Sequence, residues 1–229
     1  PGSLGLRLTP VGADEAARVP EFVFVGVALL AGMAIAPIRV PRAAPWPALS
    51  RVAFGGTAMV IVTGGLILGM PTWNRLPGPY LVSADSRSIE PESLAAAGWI
   101  AVHLPVDTRL VADRVNRALI GAAGDVHPVT AYGDGVDSYR LFLPGRSPER
   151  MARVIRAGRI SVLVGDLRLT TSLPMTRVYY EAGEPGMDRR RVPLPPASFN
   201  LWDGVPGVSR FYDSGAIRMW NVESIRDGG

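Results

Sequence analysis

The chain has 229 residues, 48% of them hydrophobic, and contains no cysteine. The lack of cysteine excludes disulfide bonds, thiolate metal sites and cysteine nucleophiles. The net charge of +4 is small, and because every basic residue is an arginine, the high isoelectric point gives little support to nucleic-acid binding.

Two early hydrophobic runs, residues 22–38 and 52–70, contain no charged residue. Each approaches the ~20 residues that cross a membrane as a helix. We therefore predict two transmembrane helices within a membrane part formed by residues 1–71. The alternative is a pair of buried helices in a soluble protein, although ordinary core helices rarely lack a polar face for so long.

The charges around these runs predict an orientation. The loop at residues 39–51 carries three arginines and no acidic residue, so the positive-inside rule places it in the cytoplasm. Residues 72–229 then lie on the extracytoplasmic side of the cell membrane. Three charged side chains that precede the first run lie at the outer surface of the membrane: Glu15, Arg18 and Glu21. These three residues either line a site or simply anchor the helix. Because two helices make a thin bundle, we expect this chain to be a piece of a longer protein with further transmembrane helices upstream.

Residues 72–229 have the mixed charges and frequent turns of a water-soluble domain. Their patterns predict, in chain order, a helix over 90–104, a strand over 108–112, a helix over 115–123, a strand over 127–132, a helix over 147–157, a strand over 160–164 and a hairpin over 209–222. This alternation predicts an α/β domain with a small, mostly parallel sheet and a C-terminal β-hairpin. The proline-rich stretch between residues 170 and 203 is interpreted as an irregular surface excursion.

Polar residues follow the two clearest predicted strands, and in open parallel sheets ligands bind beyond the carboxyl ends of the strands. Asp and Asn side chains can bond sugar hydroxyls, and Arg can hold a phosphate. The candidate ligand-binding residues are Asp113, Arg114, Asn116, Asp166 and Arg168. The alternative is that the same Asp and Arg side chains only tie strand ends to neighbouring loops.

No metal site or cofactor is predicted. The two histidines, His103 and His127, are far apart in the sequence and no acidic cluster surrounds them. The chain contains no P-loop, dinucleotide-binding, zinc-protease or hydrolase-elbow motif, so catalytic residues cannot be assigned from such motifs.

Several segments together suggest a family. They are an EAARxxEF entry at residues 15–22, then SADSRSIEPES, VADRVN, VLVGDLR, YYEAGEP and RFYDSGAIRMWNV. In this order the chain resembles the C-terminal region of actinobacterial multi-spanning membrane proteins related to GT-C glycosyltransferases. The resemblance implies sugar transfer from a polyprenyl-phosphate carrier on the outer face of the cell membrane. It also implies that the catalytic acid lies in an upstream loop outside this chain.

Three functions are therefore open. The leading hypothesis is the C-terminal membrane anchor and extracytoplasmic domain of a GT-C-like glycosyltransferase, in which the domain binds the donor or the acceptor. Its expected partners are membrane lipid and a polyprenyl-phosphate sugar or glycan. The alternative is a non-enzymatic cell-envelope assembly or glycan-binding membrane protein. A hydrolase ranks last, because no nucleophile with a base is recognisable.

Overall fold

The computed structural model describes residues 55–56, 78–145 and 147–228. The chain divides into two units, Pro1–Leu66 and Ile67–Gly229, and all of the elements given below belong to the second. The predicted boundary between residues 71 and 72 stays a prediction.

Six α-helices and five β-strands form in residues 78–228, residue 146 excepted. The helices are α1 (Pro91–His103), α2 (Arg114–Ala123), α3 (Ala131–Asp134), α4 (Pro148–Gly158), α5 (Ala197–Asn200) and α6 (Glu223–Asp227). The strands are β1 (Arg109–Val111), β2 (His127–Pro128), β3 (Val162–Asp166), β4 (Ser209–Asp213) and β5 (Ile217–Asn221).

The longer helices begin where local chemistry predicts. Proline occupies the first turn of both α1 and α4, where a missing backbone N–H is harmless. Ser147 caps α4 by accepting a bond from the Arg150 amide at 3.4 Å. Asp113 caps α2, and its carboxylate accepts two amides of the first turn. Such caps satisfy donors that a helix leaves free at its start.

The five strands form one mixed sheet in the order β2-β1-β3-β5-β4. β1 lies parallel to both β2 and β3, with Leu110 opposite Val162. β5 pairs antiparallel with β3 along its whole length, from Val162 opposite Asn221 to Asp166 opposite Ile217. β4 completes the predicted C-terminal hairpin, with a register shift between Arg210 and Tyr212.

The two faces of the sheet bury separate clusters of apolar side chains, because successive residues of a strand point to opposite sides. On β5, Ile217 and Met219 join the cluster beneath α1 and α2. Trp220 instead joins the larger cluster on the other face, together with Phe142 and Trp202. The fold is therefore three layers with the sheet in the middle.

The predicted fold class is wrong. The sheet is mixed instead of mostly parallel, because the chain between β3 and β4 contains only short helical turns. A parallel connection requires a crossover that carries the chain back to the starting edge, whereas here a hairpin brings β5 alongside β3 in the opposite direction.

The membrane part of the predicted fold class also finds no support. None of the helices in the described residues combines the length and the apolar character that crossing a membrane requires. The segments predicted to cross, residues 22–38 and 52–70, lie outside the described residues, except for Gly55 and Gly56.

Candidate functional site

The carboxyl ends of β1 and β3 lie side by side, because these strands are parallel neighbours. Asp113 follows β1, and Asp166 is the last residue of β3. The structure thus brings together the ends of the two strands on which the sequence predicted a ligand site.

Asn116, in the first turn of α2, joins the two aspartates. Its side-chain amide donates to Asp113 Oδ2 at 2.6 Å and to Asp166 Oδ2 at 3.1 Å. Asp113 Oδ1 accepts the amides of Val115 at 3.0 Å and of Asn116 at 3.1 Å. Both carboxylate oxygens of Asp113 therefore already accept hydrogen bonds from within the domain.

Arg168 closes the arrangement from the other side. Its Nε and Nη2 donate to the two oxygens of Asp166 at 2.8 and 2.6 Å, and Nη2 also donates to Ser93 Oγ at 2.8 Å. A further ion pair joins Arg168 to Glu90, and its guanidinium lies 4.9 Å from the centre of the Tyr80 ring. We call this set the strand-end network: Glu90, Ser93, Asp113, Asn116, Asp166 and Arg168.

Arg114 is the predicted site residue that the network does not include. Its side chain turns to Asp85, where Nε lies 3.0 Å from Oδ1, and both side chains are about two-fifths exposed. An exposed pair of this kind contributes little to stability. Asp85 has a positive φ of 47°, so this contact lies at the strained start of the short helical turn Asp85–Ser88.

Burial dominates the electrostatics of the network. Asp113 and Asp166 are 2% and 4% exposed. Loss of solvent raises the pKa of Asp113, and this effect outweighs the hydrogen bonds from Asn116, which lower the pKa. Burial, and then the charge of Asp113, raise the pKa of Asp166 well above its usual value. Burial lowers the pKa of Arg168.

Two carboxylates, those of Glu90 and Asp166, share the Arg168 guanidinium, and the members of the network bond mainly to one another. Buried groups that bond mainly to one another are poorly placed to meet a ligand, and they tie α1, α2 and β3 together instead. One acceptor in the network is unused, because the side-chain oxygen of Asn116 is buried without a hydrogen-bond partner. The structure thus favours the alternative, in which these side chains connect the strand ends to neighbouring elements and bind no ligand.

Sequence reasoning missed a second polar region on the opposite face of the sheet. A hollow of about 150 Å³ is lined by three arginines, Arg140, Arg150 and Arg190, and by no carboxylate. Its apolar walls include Tyr139, Leu143 and Met151. We call this the arginine hollow. The arginine run at residues 189–191 was one available signal for it.

The YYEAGEP segment contributes two buried glutamates, of which Glu184 holds an arginine of the hollow. Glu184 accepts the amides of Tyr179 and Tyr180 at 2.8 and 2.7 Å and pairs with Arg190 at 2.5 Å. Glu181 accepts the Ala131 amide at 2.9 Å, and burial raises its pKa.

Glu15, Arg18 and Glu21 lie outside the described residues. His127 bonds Asp134 at 2.7 Å, and His103 stacks on Trp99. In the part of the chain that the structure describes, no group of three or more His, Asp or Glu side chains is placed to hold a metal ion.

Comparison with known proteins leaves the family of this chain open. No family model matches the chain, and no curated protein matches it.

Proposed function

We propose that the described domain holds the donor or the acceptor of a GT-C-like glycosyltransferase that uses lipid-linked sugars, on the extracytoplasmic side of the cell membrane. In this proposal the domain binds ligand and does not carry out the transfer. Support comes from the segments that resemble such enzymes and from the contrast between the two polar regions of the domain.

That contrast is the observation on which the proposal depends. The carboxylates at the strand ends are buried within a closed network, so they are poorly placed to act as acid or base on a bound sugar. The arginine hollow, by contrast, is concave, carries three guanidinium groups, and has apolar walls. Concave sites with a few converging polar groups are typical of ligand binding.

The experiment is binding of a radiolabelled polyprenyl-phosphate hexose to the full 229-residue chain in detergent micelles. We expect saturable binding that free polyprenol does not displace, because polyprenol shares the lipid but lacks the phosphate and the sugar. Displacement by polyprenol alone, or no binding above empty micelles, would exclude a donor-binding or acceptor-binding role that requires the sugar phosphate.

A second candidate function, glycan binding by a non-enzymatic cell-envelope protein, is favoured by an aromatic cluster. Trp99 stacks on His103 at 4.3 Å and contacts Phe211 at 5.6 Å and Tyr212 at 5.3 Å between ring centres. The bulge in β4 brings two successive residues of that strand to Trp99. Partly exposed aromatic rings are suited to packing against the apolar face of a sugar ring.

Neutral oligosaccharides distinguish the two candidates. If the protein is a glycan-binding module, an uncharged cell-envelope oligosaccharide binds the full chain, and Trp99→Leu abolishes that binding. The conservative variant Phe211→Tyr keeps an aromatic ring and serves as the control. Binding of the lipid-linked sugar alone, unaffected by Trp99→Leu, favours the transferase.

A further inference from the structure

Three segments of chain build the arginine hollow, and each contributes one arginine. Arg140 belongs to the helical turn Ser138–Leu141, and Arg150 to the first turn of α4. Arg190 follows the turn Met187–Arg189. The three charges therefore converge from separate parts of the sequence, as they do in ligand sites built by the fold.

Arg190 is held rigidly. Its Nη1 pairs with Glu184 at 2.5 Å, and its guanidinium lies 4.5 Å from the centre of the Tyr179 ring. Two backbone carbonyls, of Arg177 and Pro185, accept further bonds at 3.3 Å each. Because the side chain is fixed before any ligand arrives, little ordering entropy is lost when it binds an anion.

The other two arginines are freer. Arg140 Nε donates to Asp137 at 2.8 Å, and both side chains are about half exposed. Arg150 has no carboxylate within ion-pair distance among the residues that the structure describes. It therefore brings an uncompensated positive charge to the hollow.

A count of charges indicates which anion fits. Three arginines line the hollow, and the direct ion-pair partners of two of them are Glu184 and Asp137. Three positive and two negative charges leave a net charge of one positive. A phosphodiester carries one negative charge, whereas a phosphate monoester carries about 1.5 to 2 at neutral pH. The single charge left over in the hollow is enough to neutralise a phosphodiester.

The size of the hollow limits what enters it. About 150 Å³ is ample for a small polar group, but it is below the ~300–1,000 Å³ of sites that enclose a whole drug-sized ligand. A wider and more open hollow of about 470 Å³ shares Arg140 and Arg150 with it. The two shared arginines place the second hollow beside the first, and Asp137 also lines the second.

We propose that the arginine hollow binds a singly charged phosphodiester, the linkage that joins a sugar to a polyprenyl-phosphate carrier. Arg150 and Arg190 hold the phosphate oxygens, and Leu143 and Met151 form the apolar wall beside the phosphate. This inference rests on the proposed function for the identity of the attached groups, but the phosphodiester site follows from the hollow itself.

The test uses the full chain and two small probes, dimethyl phosphate and methyl phosphate, followed by ³¹P line broadening at pH 8. We expect dimethyl phosphate to bind, and to bind at least as tightly as methyl phosphate. Arg150→Gln should weaken the binding of dimethyl phosphate about tenfold or more, because a hydrogen bond to a charged group is lost. Arg156→Gln removes the same charge from the same helix but lines a different hollow, so it should leave the affinity unchanged.

The outcomes separate this inference from the proposed function. Absence of dimethyl phosphate binding, tighter binding of methyl phosphate, or equal losses in Arg150→Gln and Arg156→Gln would each overturn the phosphodiester site. If the probe binds as expected but the polyprenyl-phosphate hexose does not, the site stands and the proposed function fails. If the lipid-linked sugar binds equally well to wild type and Arg150→Gln, the proposed function stands and this site is wrong.

Discussion

At the scale of single residues, Asp113 has two structural tasks. It caps α2 through two backbone amides and bonds the side chain of Asn116. Asp113→Ala removes all three bonds from a buried position, and we expect it to lower the free energy of unfolding by about 2 kcal/mol. Urea denaturation followed by tryptophan fluorescence measures this.

Asp85→Ala is the matched control for Asp113→Ala, because it also deletes an aspartate that contacts the start of α2. The Asp85–Arg114 pair is exposed, so we expect its loss to change the free energy of unfolding by less than about 1 kcal/mol. If both variants lost the same free energy of unfolding, the strand-end network would contribute no more to stability than an exposed ion pair.

The raised pKa of Asp166 predicts a particular dependence of stability on pH. Burial and the charge of Asp113 raise the pKa in the folded state, so the folded protein binds a proton that the unfolded chain releases. The stabilisation from that proton is complete below the unfolded pKa, about 4, and is lost as pH rises through the folded pKa. The replaced side chain in Asp166→Asn cannot titrate, so the free energy of unfolding of this variant should rise relative to that of the wild type as pH increases from 4 to 8.

Urea denaturation of both proteins at five pH values measures this difference, and the control is Asp213→Asn. The amide of Gly215 and two neighbouring arginines lower the pKa of Asp213, so its contribution is lost only as pH falls through the folded pKa. We therefore expect the Asp213→Asn difference to stay flat between pH 5 and pH 8. A flat Asp166→Asn difference over that range would contradict the raised pKa.

At the scale of elements, β3 lies against large aromatic side chains and tolerates no added bulk at its centre. A Cβ on Gly165 would lie 2.7 Å from Phe199 and 2.8 Å from Trp220. Gly165→Ala should therefore lower the free energy of unfolding by about 1–3 kcal/mol, because a packed core resists an extra methyl group. Thermal unfolding measured by circular dichroism tests this.

Gly98→Ala makes the same chemical change on the exposed side of α1, where a Cβ meets nothing within 4 Å. Here we expect a gain of about 0.5–1 kcal/mol, since alanine favours a helix over glycine. Opposite signs for the two variants would confirm the packing at β3, and a loss at both would contradict it.

Sequence patterns predicted local elements better than their arrangement. The predicted helix over 147–157 is α4, and the predicted helix over 115–123 is α2, because caps and apolar spacing are local signals. The predicted strand over 127–132 shrinks to His127–Pro128, since Thr130 already caps α3. The prediction of a mostly parallel sheet was wrong because the antiparallel pairing of β5 with β3 depends on contacts far apart in the chain.

The candidate site shows the same limit. Four of the five predicted residues do meet at one sheet edge, as the parallel pairing of β1 and β3 requires. Their burial could not be predicted, because it depends on Glu90 and Ser93 of a distant segment closing over Arg168. The arginine hollow was missed because Arg140, Arg150 and Arg190 are separated in sequence and converge only in the folded chain.

At the scale of the whole molecule, the second unit contains what a domain needs to fold by itself. Apolar clusters cover both faces of its sheet, and a chain of this length buries enough surface for a stable core. We expect residues 67–229, expressed alone, to unfold in one cooperative urea transition with Trp202 and Trp220 shielded from an aqueous quencher. The full chain, measured in the same way, is the control. A fragment without a cooperative transition, or with both tryptophans open to the quencher, would show that this unit depends on the preceding residues. In that case, binding measured on the full chain could not be assigned to the domain alone.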